Sequence, residues 1–390
     1  MNITIINQYY ENRGDEAAGE ALVKNLLALP EVYKIDIIYN SAYCLDFRDQ
    51  KVFHRNEDLA LKKIGKRAIF DYLAFHKFDN RPMKEMARTI RNSDYVFVTP
   101  CGASLGIYKD WAFLVRLLFV VKEKKTPIFC LNTINSSHDK IFDHFAKYVL
   151  KRSKVYVRET ASQKYLSSIG IHSELGVDTA FSLPPVKPMP KKKKTVGMVT
   201  TLLGWHPEFQ GRDMQKEILE NIVPGVAVFC KQKNYDIDLI PHIGSDEEMM
   251  FINHVASYLK LNGMDEEAVH IRKDVKTADQ YDEALASEYL VVGMRYHAVV
   301  LAAKNAVPFM AIAYENKMKE VSTYTHCEPF CLDLQKPIHK EDVLNTLLLL
   351  DKEHDGVKEL LKQEYSSLNE RARLPLQEIK PIDMSHIIYK

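Results

Sequence analysis

The sequence predicts an α/β protein of two domains, each a parallel sheet with helices on its faces. Short apolar, β-rich runs alternate with amphipathic stretches over most of the chain. Several of the runs stop at glycine or polar residues, and helix formers follow, which is the strand-to-helix order of a parallel sheet. A Pro/Lys-rich stretch, residues 184–194, divides the alternation in two.

Length and composition agree with this. A chain of 390 residues, 46% hydrophobic and 27% charged, is long enough for two ordinary globular domains. Its 53 basic and 52 acidic residues leave a net charge of +1. That balance excludes a general attraction to nucleic acid and makes any anion site a local one. Met1–Ile6 runs straight into a strand, without the basic and apolar regions of a signal peptide. The longest apolar run, within Trp111–Val121, is broken by Arg116 and is too short to span a bilayer. The six scattered cysteines read as reduced thiols of a cytoplasmic protein. His326, Cys327 and Cys331 lie close together but lack a second ligand pair, so no metal is expected there.

The first domain is expected over residues 1–183. Its strands are Ile3–Ile6, Ile35–Ile38, Tyr95–Val98, Ile128–Leu131 and Lys154–Val157. Helices fill Asp15–Ala28, Met83–Arg91, Asp110–Lys122, Lys140–Leu150 and Ala161–Ser168. After the first strand, Asn12, Gly14 and Asp15 form a tight turn into a helix, a capped start whose free amides can also bind an anion. Residues Cys44–Arg81 read as an irregular insertion, either a mobile loop beside a site or short helices. Gly102 and Ser104 lie in a small-residue loop after the third strand, where backbone can approach a ligand. The loop has neither Walker nor GxGxxG spacing, so it does not indicate nucleotide binding. Asn132 follows the next strand, and Ser136 or Ser137 is expected to cap the helix near Lys140. Arg158 ends a buried strand, so its charge needs either a carboxylate partner or an anionic ligand. Asp178 is placed to hold Arg158 or to cap a short turn.

The linker, 184–194, is expected to be stiffened by its prolines and kept in water by Lys191–Lys194. A second α/β domain, 195–350, follows. Its strands are Thr195–Val199, Ile237–Ile240, Val269–Ile271, Tyr289–Val292 and Phe309–Ala313. Ser245 with Glu248, and Thr277 with Gln280, have the spacing of capping boxes. His206 and His242 follow strands and are candidates to line a site, exposed loop histidines being the plainer reading. Residues 351–390 form a helical segment expected to pack back on the first domain.

The most informative stretch is Val291–Ala303. A short strand ends at Gly293, helix formers begin at Ala298, and Arg295 and His297 stand between them. Arg295 is a permanent fork for carboxylate or phosphate, and an imidazole gives or takes a proton near neutral pH. Capping or ion pairing for the arginine and core packing for the histidine are the plainer alternatives. Lys317, after the following strand, arrives at the same sheet edge.

Five segments together resemble the polysaccharide pyruvyltransferase family. They are Asn12–x–Gly14–Asp15–Glu16–Ala17, Val157–Arg158–Glu159–x–x–Ser162, Val177–Asp178–Thr179–Ala180–Phe181, Gly293–Met294–Arg295–Tyr296–His297–Ala298, and Ala313–Tyr314–x–x–Lys317. They occur in the family's order. The resemblance implies two Rossmann-like domains with parallel sheets facing a cleft, similar to the GT-B glycosyltransferase fold. It implies transfer of the enolpyruvyl carbon unit of phosphoenolpyruvate to two hydroxyls of a sugar, in bacterial-type cell-surface polysaccharide biosynthesis. A pyruvate ketal forms and phosphate is released. Carried over by position, Arg158 and Arg295 bind the phosphoenolpyruvate anions, with Lys317 assisting. His297 is the general acid/base, with Lys317 beside it in the catalytic set. Asn12, Gly14, Asp15, Gly102, Ser104, Asn132, Asp178, His206 and His242 are the candidate acceptor or cleft-lining residues. No metal or cofactor is implied, phosphoenolpyruvate being the donor substrate. The implied partners are that donor and a sugar acceptor. A lipid-linked acceptor would bring this otherwise cytoplasmic protein to the inner face of the membrane. Two loops, Pro100–Ala103 and Asn132–Asn135, depart from the family pattern and leave the acceptor open. The competing functions are a GT-B glycosyltransferase using a nucleotide sugar and a non-catalytic carbohydrate-binding protein of polysaccharide assembly.

Overall fold

The structure, a computed structural model, describes residues 1–10, 12–40, 44–45, 47–55 and 81–380. By contacts the chain forms two compact units. One comprises 1–10, 18–183 and the chain from Leu368; the other comprises 11–17 and 184–367.

In the first unit, β1 (Asn2–Gln8), β2 (Lys34–Tyr39), β3 (Val52–Arg55), β4 (Tyr95–Val98), β5 (Pro127–Asn132), β6 (Lys154–Val157) and β7 (Glu174–Leu175) form one sheet. The order is β3-β2-β1-β4-β5-β6-β7, and every recorded pairing is parallel. Alternation along the strands builds two apolar layers. Ile3, Ile5, Ile35, Ile37 and Phe97 belong to one. Ile6, Val96, Val98, Phe129 and Val157 belong to the other, with helices α2 (Arg81–Arg91) and α3 (Trp111–Lys122). The chain starts its first helix, α1, at Arg13–Leu27.

Helix α3 is buried from Trp111 through Val120, including Arg116. The Arg116 guanidinium is accommodated there because it donates to the side-chain carbonyls of Asn7, at 3.1 Å, and Asn40, at 3.0 Å. Asn7 sits in a bulge of β1 with φ 69°, a left-handed conformation that asparagine tolerates.

The second unit repeats the design. Strands β8 (Thr195–Val199), β9 (Asp236–Leu239), β10 (Val269–Ile271), β11 (Leu290–Gly293), β12 (Phe309–Ala313) and β13 (Cys331–Asp333) lie in the order β10-β9-β8-β11-β12-β13. The recorded pairings are again parallel. The strand order reverses between β8 and β11, and in such sheets the crevice at that reversal is where ligands bind.

The expected strands are all present. Three more were not anticipated: β3, β7 and β13, which are short and lie at or beside sheet edges. With two to four residues each they are too short to show a period. β3 falls inside the stretch read as an irregular insertion. The rest of that insertion, 56–80, lies outside the described residues.

Other local expectations changed. Helix α4 (Lys140–Leu150) is capped by Asp139, not by a serine; Ser136 donates to Asp143 instead. The linker does not simply run through water. The amides of Val186 and Met189 donate to Asn305 and Ser287, and Lys191 pairs with Asp238 at 3.0 Å and Glu288 at 2.6 Å. Near the C-terminus come α12 (Lys340–Lys352) and α13 (His354–Ala372), and from the last residues of α13 onward the chain makes contacts within the first unit. Asn369 donates to the Phe181 carbonyl, and Tyr156 donates to Glu378. Among the described residues no helix is long and apolar enough to cross a membrane.

Arg116→Ala is expected to destabilise the protein by about 2–4 kcal/mol, because it strands two buried amide carbonyls in an apolar helix layer. Equilibrium urea unfolding measures this, and a loss within about 0.5 kcal/mol would refute the anchoring role.

Candidate active site

The C-terminal ends of β8, β9, β11 and β12 gather the polar side chains of the second unit. Gly293 pairs with Val199, and the Met294 amide donates to the Val199 carbonyl at 2.9 Å. The chain is still extended at Arg295, with φ −124° and ψ 140°, and turns into helix α10 (Tyr296–Lys304). No side chain caps that helix, and its first turn holds no acid. Arg295 and His297 are 6% and 4% exposed. Apolar strand and buried helix together force these two groups inward at the strand end, where water cannot solvate the charge.

Arg13 joins them. It stands at the start of α1, is buried, and donates to the carbonyls of Pro241 at 3.3 Å and Val275 at 2.9 Å. Gly244, with φ +78°, lets it in: a β-carbon there would lie 2.7 Å from the Arg13 Nη2. Gly14 does the same for His297, since a β-carbon on Gly14 would overlap the imidazole. Asn12 is spent on capping: its side-chain oxygen accepts from the amides of Gly14 and Asp15 at 3.1 and 3.2 Å.

His242 follows β9. Its ring lies nearly parallel to that of His297, with centroids 6.5 Å apart, and its Nδ1 is 3.1 Å from the Tyr281 hydroxyl. Burial, and then the charges of Arg295, His297 and Arg13, hold its pKa well below the ordinary imidazole value. The loop it stands on is fixed by Glu248. That carboxylate accepts the amides of His242, Ile243 and Gly244, so Ser245 and Glu248 do not make the expected reciprocal box. Thr277 and Gln280 do.

On the β12 side, Glu315 lies between two bases. Lys317 is 2.6 Å from one of its oxygens and His206 is 3.1 Å from the other. Burial raises the Glu315 pKa, but Lys317 and His206 outweigh it and hold the carboxyl well below the usual range. Lys317 therefore carries a counter-ion that the sequence reading did not assign to it. Its ammonium also lies 5.6 Å from the Tyr296 ring centre. His206 and His242, 1% and 2% exposed, are not exposed loop histidines.

The first unit holds the remaining candidates. Arg158 is buried and paired with fully buried Asp178 at 2.7 Å, and its Nε donates to Thr133 at 3.3 Å. Asp178 also accepts the Ala180 amide, so it both holds the arginine and caps a turn. Asn132 donates to the Thr99 carbonyl and tethers the loop that carries Gly102. Ser104 lies 2.5 Å from the Tyr9 hydroxyl, which also donates to Asp110. Arg13, Glu315, Thr200 and Thr201 were not singled out from the sequence. Arg13 stood inside a segment already noted; the threonines follow an expected strand, but threonine is not a residue type that announces a site. Among the described residues no group of three or more His, Cys, Asp or Glu could hold a metal ion.

Comparison with known proteins adds two findings. The model of the family described as polysaccharide pyruvyl transferase matches residues 12–316. Solved structures with a similar fold include a Listeria monocytogenes protein designated a UDP-N-acetylglucosamine 2-epimerase. It has a TM-score of 0.62 and 14% identity over 95% of this chain and 94% of that one. A second is the α,α-trehalose 6-phosphate synthase of Burkholderia multivorans, with a TM-score of 0.57 and 10% identity over 97% of each chain. Such low identities speak for the fold alone, the two-domain GT-B architecture. No curated protein matches the chain in sequence.

Gly14→Ala is expected to cost about 1–3 kcal/mol through overlap with the His297 ring. In a His297→Ala background most of that cost should vanish, a coupling that thermal or urea unfolding of the double-mutant cycle measures. Additive effects would place the ring elsewhere.

His242 also makes stability depend on pH. Its folded-state pKa is depressed, so its contribution is full above the ordinary imidazole value and is lost as the pH falls below it. Wild type should lose up to about 1.4 kcal/mol per pH unit more than His242→Gln below pH about 6.5. Denaturation curves at pH 7.5 and 5.5 decide this, and parallel losses would rule it out.

Proposed function

The chain belongs to the polysaccharide pyruvyl transferase family, and from that premise we propose that it transfers the enolpyruvyl carbon unit of phosphoenolpyruvate to two hydroxyls of a sugar, forming a cyclic ketal. The observation that carries this reading is the buried cluster of Arg13, Arg295 and His297 at the C-terminal edge of the second sheet. Phosphoenolpyruvate has a carboxylate and a phosphate on one carbon skeleton. Fixed guanidinium groups and a helix N-terminus suit such a compact polyanion.

The proposed chemistry balances as follows. A proton adds to the enol methylene and makes a methyl group, and C2 gains oxocarbenium character. One sugar hydroxyl adds to C2 and gives up its proton. Phosphate leaves, and the second hydroxyl closes the ring, releasing a second proton. One of the hydroxyl protons balances the proton taken by the methylene; the other leaves with phosphate. His297 moves one of these protons, a role worth about 10²–10⁴ in rate. Arg295 neutralises the departing phosphate. Lys317, already paired with Glu315, orients at the rim of the cluster rather than supplying uncompensated charge. The reading does not rest on Arg158, whose charge is balanced by Asp178 inside the first unit.

Thermal unfolding with phosphoenolpyruvate, and separately with a panel of nucleotide sugars, tests the donor. A ligand at about 100 times its Kd stabilises by about 2.7 kcal/mol. A shift with phosphoenolpyruvate, lost in Arg295→Ala and kept in a His297→Ala variant with greatly reduced phosphate release, is the expected result. A shift with nucleotide sugars alone would overturn the donor assignment in favour of glycosyl transfer.

A further inference from the structure

Strand β8 is one of the two central strands of the second sheet, and its C-terminal end is followed by Thr200 and Thr201. The register of β8 with β11 sets Val199 against Gly293, and the Met294 amide donates to the Val199 carbonyl, so the two threonines leave β8 at the same sheet edge at which Arg295 leaves β11. Thr200 is 3% exposed and Thr201 0%. Neither hydroxyl has a hydrogen-bond partner among the described residues, and neither has the Nε of Arg295. A buried hydroxyl without a partner costs about 1–3 kcal/mol, and a valine of nearly the same shape would avoid that cost. Two such hydroxyls in succession follow β8, and a guanidinium N–H in the same state follows β11 at an uncapped helix start, at the two strand ends between which the strand order reverses. All these groups can donate and none has an acceptor, and the acceptor that suits several donors at a strand end beside a helix N-terminus is an oxyanion.

We propose that Thr200 and Thr201 donate their hydroxyls to the phosphate group of the donor substrate, which sits at the N-terminus of α10 with Arg295. The proposal rests on the phosphoenolpyruvate reading for the identity of the donor, but the phosphate subsite itself does not need it. Phosphate is favoured over carboxylate by number: a tetrahedral dianion has three terminal oxygens to share among two hydroxyls, a guanidinium and helix amides, whereas a carboxylate has two. In the reaction the same donors follow the phosphate as it takes on charge and leaves.

Calorimetric titration of the full chain with phosphoenolpyruvate, inorganic phosphate and pyruvate, on wild type, Thr200→Val and Thr201→Val, tests this. The valine variants are expected to bind phosphoenolpyruvate and phosphate about ten-fold or more weakly. Their binding of pyruvate should be unchanged, and their unfolding temperature equal to wild type or higher, because a desolvated hydroxyl is gone. Thr200→Ser and Thr201→Ser should restore affinity. Unchanged phosphate affinity in both valine variants would overturn the proposal. So would a loss of pyruvate rather than phosphate binding, or an affinity loss that simply tracks a lower unfolding temperature. Threonine-dependent binding of phosphate without any binding of phosphoenolpyruvate would sustain the subsite and sink the donor assignment. Wild type binding neither would sink both.

Discussion

The imidazole of His297 rests against the backbone at Gly14, in the space where any other residue would carry its β-carbon. That contact fixes the geometry around it. It brings the first turn of α1 against the start of α10, and with it Arg13, which the loop after β9 receives through its carbonyls and through Gly244. Once Arg13, Arg295 and His297 are confined together, His242 is driven to its neutral form by burial and by their charge. Glu248 holds the His242 loop by accepting three of its amides.

The two arginines single out different fates for a buried charge. Arg158 meets Asp178 and becomes part of a closed ion pair with a capping role. Removing either partner from such a pair leaves an uncompensated charge, so the pair fixes the end of β6. Arg295 stands at an uncapped helix start with part of its guanidinium unsatisfied, which is the condition of a group that awaits an anion. Lys317 lies between these cases: Glu315 balances it, and His206 fixes Glu315. The division explains why a count of cations along the chain overstates the field, and why one strand end matters most.

That strand end is where the order of the second sheet reverses. Parallel strands with helices on their faces leave only their C-terminal ends open to ligands, and the reversal leaves a gap between neighbouring connections. Family membership speaks for chemistry on a polysaccharide, and the two-domain GT-B architecture for the fold alone. The groups gathered at the gap are buried guanidinium groups, a helix N-terminus without a side-chain cap and an imidazole.

By itself the sequence determined the elements and their type. Ten strands, the helices between them and the positions of Arg295, His297 and Lys317 at strand ends were legible, because periodicity and turn chemistry are local properties of a chain. Three of the four edge strands, β3, β7 and β13, were too short to carry a period, and β13 is defined by its pairing with β12. Tertiary structure alone decided which charges are balanced. Arg158 finds its counter-ion 20 residues away, and Arg13 reaches carbonyls more than 200 residues away. The hydroxyls of Thr200 and Thr201 become significant only when the sheet buries them without a partner. Such facts depend on neighbours brought together through space. No spacing along the chain encodes them, because burial and pairing are properties of the packed whole.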